Sequence, residues 1–240
     1  MKWRVKSSSP NKKYLRKIFL IIITLGFLGI SSWFAWSYTK PNNFPIKHVE
    51  IFATYEHLDQ KTLQKTINEY LGNGFFYLNA ISLKQQLLKL PWIYAVSIKR
   101  IWPDTLTINI AEQRAILQWG TDALLNSNGT VFSPPKNSFP KDLPIIFGPN
   151  EQEAEIFALY HKMLTTLEPL DLTIKKLILN PKNHWEVLLS NDTRIYFKKE
   201  NPLSQLELLA SVYRKITASR SQPPKSIDLR YNAGMAVKWD

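Results

Sequence analysis

Cysteine is absent from this 240-residue chain. Its absence excludes disulfide staples, a thiol nucleophile and every Cys-based metal site. Histidine is scarce, and His48, His57, His161 and His184 stand at no metal-ligand spacing, so they offer no metal or histidine-based catalytic centre. No serine lies in a G-x-S-x-G setting, the context of a strained nucleophile elbow. Asp104 and Glu112 stand eight residues apart around a strand-like segment. A turn or cap role suits the first, and a solvent-facing role the second, better than paired acid–base work. Acidic residues are missing altogether from the first 17 positions.

What is present is one long uncharged run. Ile18 to Tyr38, IFLIIITLGFLGISSWFAWSY, carries no charge over 21 positions. As a helix it would extend about 31 Å, the thickness of a bilayer hydrocarbon core. Lys2, Arg4, Lys6, Lys12, Lys13, Arg16 and Lys17 precede it, whereas Lys40 and Lys47 after it are balanced by Glu50, Glu56 and Asp59. The positive-inside bias puts residues 1–17 in the cytoplasm and the large remainder on the far side. A cleaved signal peptide is the alternative, and Ala35 and Ser37 satisfy small-x-small. Its apolar stretch is usually ~7–15 residues, however, and Trp33, Phe34, Trp36 and Tyr38 make a bulky end that suits a membrane interface. Ser31 and Ala35 have small-xxx-small spacing, a weak pointer to helix pairing. The seven tail cations leave +5 of the net +12 for everything else, so the charge reads as topology signal and contact with anionic lipid, not nucleic-acid binding. With 8 Trp, 10 Tyr and 12 Phe, an exported region can rely on its core.

Residues 39–45 form a short proline-containing linker. Alternation over Ile46–Ala53, with Val49 and Ile51 on one face, predicts a strand. Asp59 caps a helix carrying Leu63, Ile67, Tyr70 and Leu71, stopped by Gly72 and Gly74. A second helix runs from about Asn79 to Lys89, with capping-box spacing at Ser82 and Gln85 and a Leu83–Leu87–Leu90 stripe, and Pro91 ends it. Two strands follow, with Tyr94, Val96 and Ile98 on one face of the first and Leu106, Ile108 and Ile110 on one face of the second. Lys84, Lys89, Lys99 and Arg100 give this module a basic surface, which reads as a solvated face or a recruitment contact. Trp92 and Trp102 read as core or turn packing.

Beyond it, a strand at Ala115–Trp119 precedes a hairpin over Leu124–Phe132 turning at Asn128-Gly129. Ser133–Pro149 holds five prolines and reads as irregular. Asn150 with Glu153 suggests the cap of a helix that Pro169 stops. Strands at about 173–179, 184–190 and 193–198 precede a helix at about 202–218 that Pro223-Pro224 terminates. The chain closes on strand-like Ser226–Tyr231, with Ile227, Leu229 and Tyr231 on one face, and a final apolar Met235-Ala236-Val237.

Leu90-Pro91-Trp92-Ile93, Arg100-Ile101-Trp102-Pro103-Asp104-Thr105-Leu106, Glu112-Gln113 and the C-terminal Ile227-Asp228-Leu229-Arg230-Tyr231-Asn232-Ala233-Gly234-Met235-Ala236-Val237-Lys238-Trp239 together resemble the FtsQ family of bacterial cell-division proteins. The resemblance covers essentially the whole chain. It implies an α+β fold: a cytoplasmic tail (1–17), a transmembrane helix (18–38), a linker (39–45), a POTRA domain of β-α-α-β-β order (46–114) and a β-rich domain with two helices (115–240). Pro91, Trp92, Arg100, Trp102, Pro103, Asp104, Leu106 and Glu112 would be its structural motif residues. It implies no catalysis and no cofactor. It implies an essential inner-membrane scaffold at the division septum that bridges early and late division proteins and helps control septal cell-wall synthesis. Its partners would be FtsB and FtsL at the β domain and other divisome members at the POTRA and membrane regions. In the family the last strand pairs edge-to-edge with FtsB; here Tyr231, Ala233, Gly234, Met235, Val237, Lys238 and Trp239 hold those positions. Ala233 stands where serine is usual and Lys238 where a small residue is usual.

The residues add a physical reason. An edge strand shows unpaired N–H and C=O groups, and Met235-Ala236-Val237 carry no charge to blunt it. The competing reading makes this strand interior, with Trp239 capping the core. Two other functions remain open: a tethered cell-wall enzyme, for which no convergent polar cleft can be assembled, and a secretion component. The latter would need a many-stranded membrane barrel that the residues after the first module cannot supply.

Overall fold

An apolar stretch that satisfies its own backbone in lipid has to be helical. In the computed structural model, which describes residues 12–38, 44–181, 184–231 and 234–239, the run lies in helix α1 (Lys12–Tyr38). Tyr14–Ser37 is long and apolar enough to cross a bilayer, and none of it is buried in protein. Most of the basic tail, linker residues 39–43 and Ala233 lie outside the described residues.

The chain divides into two compact units. The first contains β1 (His48–Phe52), α2 (Gln60–Leu71), α3 (Gly74–Tyr77), α4 (Ala80–Leu87), β2 (Ile93–Ile101) and most of β3 (Thr105–Glu112). Its sheet has the order β1-β3-β2, with β1 parallel to β3 and His48 opposite Thr105. The Asp59 carboxylate caps α2 by accepting from the Thr62 hydroxyl at 2.6 Å and the Thr62 N–H at 2.9 Å, which hold its pKa below the ordinary carboxylate value. Leu63, Ile67, Leu83, Leu87, Leu106 and Ile108 are fully buried, as the helical and two-residue periods require.

Three local expectations change here. Gly74, at φ +70, lets the chain restart as the short α3 where only a stop was expected. Asn79, not Ser82, caps α4, its side-chain oxygen accepting the Ser82 N–H at 3.0 Å. Tyr94 is exposed and Ile93 buried. Ile93 and Tyr94 belong to the second unit while Ala95–Ile101 belong to the first, so a single two-residue period does not describe the strand.

The second unit is built on a nine-stranded mixed sheet. Its strands are β4 (Ala115–Trp119), β5 (Ala123–Asn126), β6 (Val131–Phe132), β7 (Ile145–Phe147), β8 (Ile174–Asn180), β9 (His184–Leu189), β10 (Arg194–Lys198), β11 (Ser226–Asp228) and β12 (Ala236–Lys238). Their order is β12-β11-β10-β9-β8-β7-β4-β5-β6. Helices α5 (Glu153–Leu167) and α6 (Pro202–Thr217) bring Ile156, Met163, Leu206 and Leu209 into one core with Leu177, Val187, Ile195 and Phe197. This is the α+β architecture expected: an apolar helix, a small module and a β-rich unit with two helices.

The proline-rich segment is the main departure. It was expected to be irregular, yet it contains β7, which pairs in parallel with both β4 and β8 in the sheet interior. Three residues are too few to show a period, and the flanking prolines mask them. Ile146 is fully buried. At Gly148 an added Cβ would run into Ile156 Cδ1 and stand 3.1 Å from Trp119 Cη2, so glycine permits the close passage from strand to helix. Helix α5 is preceded by Gln152, which makes no capping bond, so the expected Asn150–Glu153 cap does not form. The hairpin turns at Asn128-Gly129 as expected, with Gly129 at φ +75, and Asn126 also holds it, its side-chain oxygen accepting the N–H groups of Asn128 at 2.9 Å and Thr130 at 3.0 Å. Urea unfolding should show Ile146→Ala costing ~2–5 kcal/mol and Gly148→Ala ~1–3 kcal/mol through overpacking. No change at Ile146 would remove β7 from the core.

Candidate partner-binding edge

The sheet ends at β12. Among the described residues its strand partner is β11, antiparallel, with Ile227 opposite Val237 and Ser226 opposite Lys238. The other side of β12 meets no further strand among the described residues. β11 is fastened from several directions. It pairs in parallel with β10, and Leu229 N–H donates to the Tyr196 carbonyl at 2.9 Å. The buried Thr193 hydroxyl donates to the Pro224 carbonyl at 2.8 Å. Gln205 from α6 donates to the Leu229 carbonyl at 3.0 Å and accepts the Lys198 N–H at 3.2 Å. Neither Thr193 nor Gln205 carries a sequence signal: each is one ordinary polar residue whose partner is distant in the chain.

The residues expected in the last strand divide into groups. Val237 and Lys238 lie in β12, and Met235 and Val237 pack partly buried against the main core. Ala236 and Lys238 are exposed. Trp239 follows the strand, half-buried, with the Arg220 guanidinium 5.2 Å from its ring centre. Gly234 has open space where a Cβ would stand and needs no positive φ, so nothing steric requires glycine there. Tyr231 departs from the expectation that it shares the Ile227–Leu229 face. The strand ends at Asp228, and Tyr231 is 62% exposed. The cause is local: Asp228 accepts the Arg230 N–H at 3.0 Å and its guanidinium at 2.6 Å and 2.9 Å, turning the chain out of the ladder.

The motif residues fall into unlike settings, and two of them differ from what was expected. Glu112 is not a solvent residue: its carboxylate accepts the His57 N–H at 3.0 Å and the Glu56 N–H at 3.3 Å. Trp92 is buried, stacks on His57 at 3.9 Å, meets Phe132 edge-on at 5.2 Å and donates its Nε1–H to Ser138 at 2.8 Å. Arg100 is not simply part of a solvated basic face, because its guanidinium donates to the Phe75 and Phe76 carbonyls at 3.1 Å and 3.3 Å. Asp104 accepts the Lys47 and His48 N–H groups through its carbonyl and pairs with the Lys47 ammonium at 3.7 Å. Leu106 is fully buried and Pro91 exposed. Trp102 and Pro103 form an exposed turn; Trp102, at 69% exposure, is not core. Among the described residues no group of three or more acidic or histidine side chains could hold a metal ion.

Comparison with known proteins meets this geometry. Residues 44–113 match the FtsQ-type POTRA domain and residues 115–230 the C-terminal domain of cell division protein FtsQ/DivIB. Cell division protein FtsQ of Coxiella burnetii is 31% identical over 98% of this chain and 96% of its own length. That of Allochromatium vinosum is 31% identical over 92% of this chain and 86% of its own length, and that of Aliivibrio fischeri 27% identical over 99% and 91%. The chain belongs to the FtsQ family. It is a single-pass membrane protein with a role in cell division.

Two measurements probe this FtsQ-family fold. Glu112→Ala strands two backbone N–H groups and should cost ~1–3 kcal/mol by chemical denaturation, with Glu112→Gln, which keeps an acceptor, costing less. Arg230 holds the Asp228 carboxyl below the ordinary carboxylate pKa. A depressed folded-state pKa stabilises fully above the unfolded value and loses that contribution as pH falls through the folded one. The stability gap between wild type and Asp228→Asn should therefore shrink on acidification below the ordinary carboxylate range. A gap independent of pH would mean that the Asp228–Arg230 pair contributes nothing.

Proposed function

We propose that this chain is a non-catalytic scaffold of the divisome whose β12 edge captures the FtsB–FtsL pair. The observation that carries the reading is the position of β12: last in the sheet order, backed by a firmly tied β11, with exposed Ala236 and Lys238 flanking an inward Val237. A strand laid along it gains main-chain hydrogen bonds worth ~1 kcal/mol each net. Tyr231 and Trp239, one exposed and one half-buried, flank the edge as aromatic anchors.

In this reading residues 1–17 lie in the cytoplasm, since the cations cluster there. The POTRA domain (46–114) and β domain (115–240) face the periplasm at the septum. The POTRA and membrane regions meet other divisome members, and the β domain couples their arrival to septal wall synthesis. No nucleic acid, small-molecule substrate or cofactor takes part.

A pull-down of the chain with an FtsB–FtsL periplasmic fragment tests it. Trp239→Asp and Tyr231→Asp should each weaken capture by ~10-fold or more, the scale of an aromatic anchor. Undiminished capture by both variants moves the partner site away from β12.

A further inference from the structure

We infer that the end of the first unit where the chain arrives from α1 seats on the bilayer surface; the inference rests on reading α1 as a membrane anchor. Because β1 runs parallel to β3, with His48 opposite Thr105, the start of β1 lies at the same end of the sheet as the β2–β3 turn. The contacts draw further groups to that end. Phe44 accepts the Phe75 N–H at 2.9 Å and meets the Phe76 ring edge-on at 5.1 Å. Arg100 ties the Phe75 and Phe76 carbonyls to the end of β2, and Lys47 is tied to Asp104.

This end displays large apolar side chains that the fold leaves uncovered: Trp102 69%, Ile101 51%, Tyr77 50% and Phe76 43% exposed. Four such groups at one end mark a contact surface. Their occupant follows from chain length. Phe44 is six Cα steps from Tyr38, so it lies within about 22 Å of the end of α1. The polar interface adds only ~5–8 Å beyond the hydrocarbon. The patch is thus within constant reach of the lipid surface, and tethering of this kind lets a weak contact count. The chemistry fits that surface. Tryptophan and tyrosine favour the headgroup region, and Lys47, Lys99 and Arg100 outnumber Asp104 beside them, which suits anionic headgroups.

The native chain has no cysteine, so one introduced cysteine carries one environment-sensitive fluorophore. Full-length Trp102→Cys, Ile101→Cys, Tyr77→Cys, Phe52→Cys and Phe27→Cys are labelled and reconstituted in phosphatidylethanolamine–phosphatidylglycerol vesicles with headgroup-region quencher lipids. Phe52 is an exposed control at the far end of β1, ~13 Å from its start. The expected result is blue-shifted emission and several-fold stronger quenching at 77, 101 and 102 than at 52, weakening in purely zwitterionic vesicles. Quenching at those three positions no greater than at 52 overturns the inference and assigns the patch to a protein partner. Absence of quenching at Phe27→Cys by chain-labelled quencher lipids would instead sink the anchor reading.

Discussion

A β-sheet satisfies the backbone polar groups of every strand except the outer sides of its two end strands, and in the second unit those strands are β12 and β6. The C-terminal edge rests on β11, which is held from several directions. Ile227 is buried in the main core, and the segment is bonded to β10, to Thr193 and to Gln205 on α6. A strand so held can present β12 without the edge fraying, although β12 itself has only three residues. Short length and the charge on Lys238 are the ordinary devices that keep an open edge from aggregating, while Val237 turned inward keeps the register.

The first unit solves a different problem. A parallel β1–β3 pairing forces the start of β1 to the end where β2 turns into β3, so the chain enters beside Trp102 and Asp104. The motif Arg-Ile-Trp-Pro-Asp there is a set of unlike jobs: Arg100 binds carbonyls, Asp104 receives the incoming strand, and Trp102 faces out. Their common cause is proximity to the point of entry rather than a shared chemistry.

Long periodic signals were readable from the chain. The apolar helix, the Leu63–Ile67 and Leu83–Leu87 stripes, the Leu106–Ile108–Ile110 face and the helix at 202–217 all follow from burial at a regular repeat. Short or unpatterned elements were not. β7 has three residues among prolines, α3 has four, and Tyr231 breaks its alternation because an Asp–Arg bond two residues apart turns the backbone. Glu112 read as solvent-facing because its partners, the N–H groups of Glu56 and His57, are more than fifty positions away.

Composition and periodicity determined the membrane helix and the long buried stripes of the helices and strands, because transfer of apolar surface out of water follows residue type and spacing. Tertiary structure decided which strands are outermost, which carbonyl each polar side chain meets and where the chain's entry lies. Those outcomes depend on strand order and on contacts between residues far apart in sequence, which no local pattern encodes.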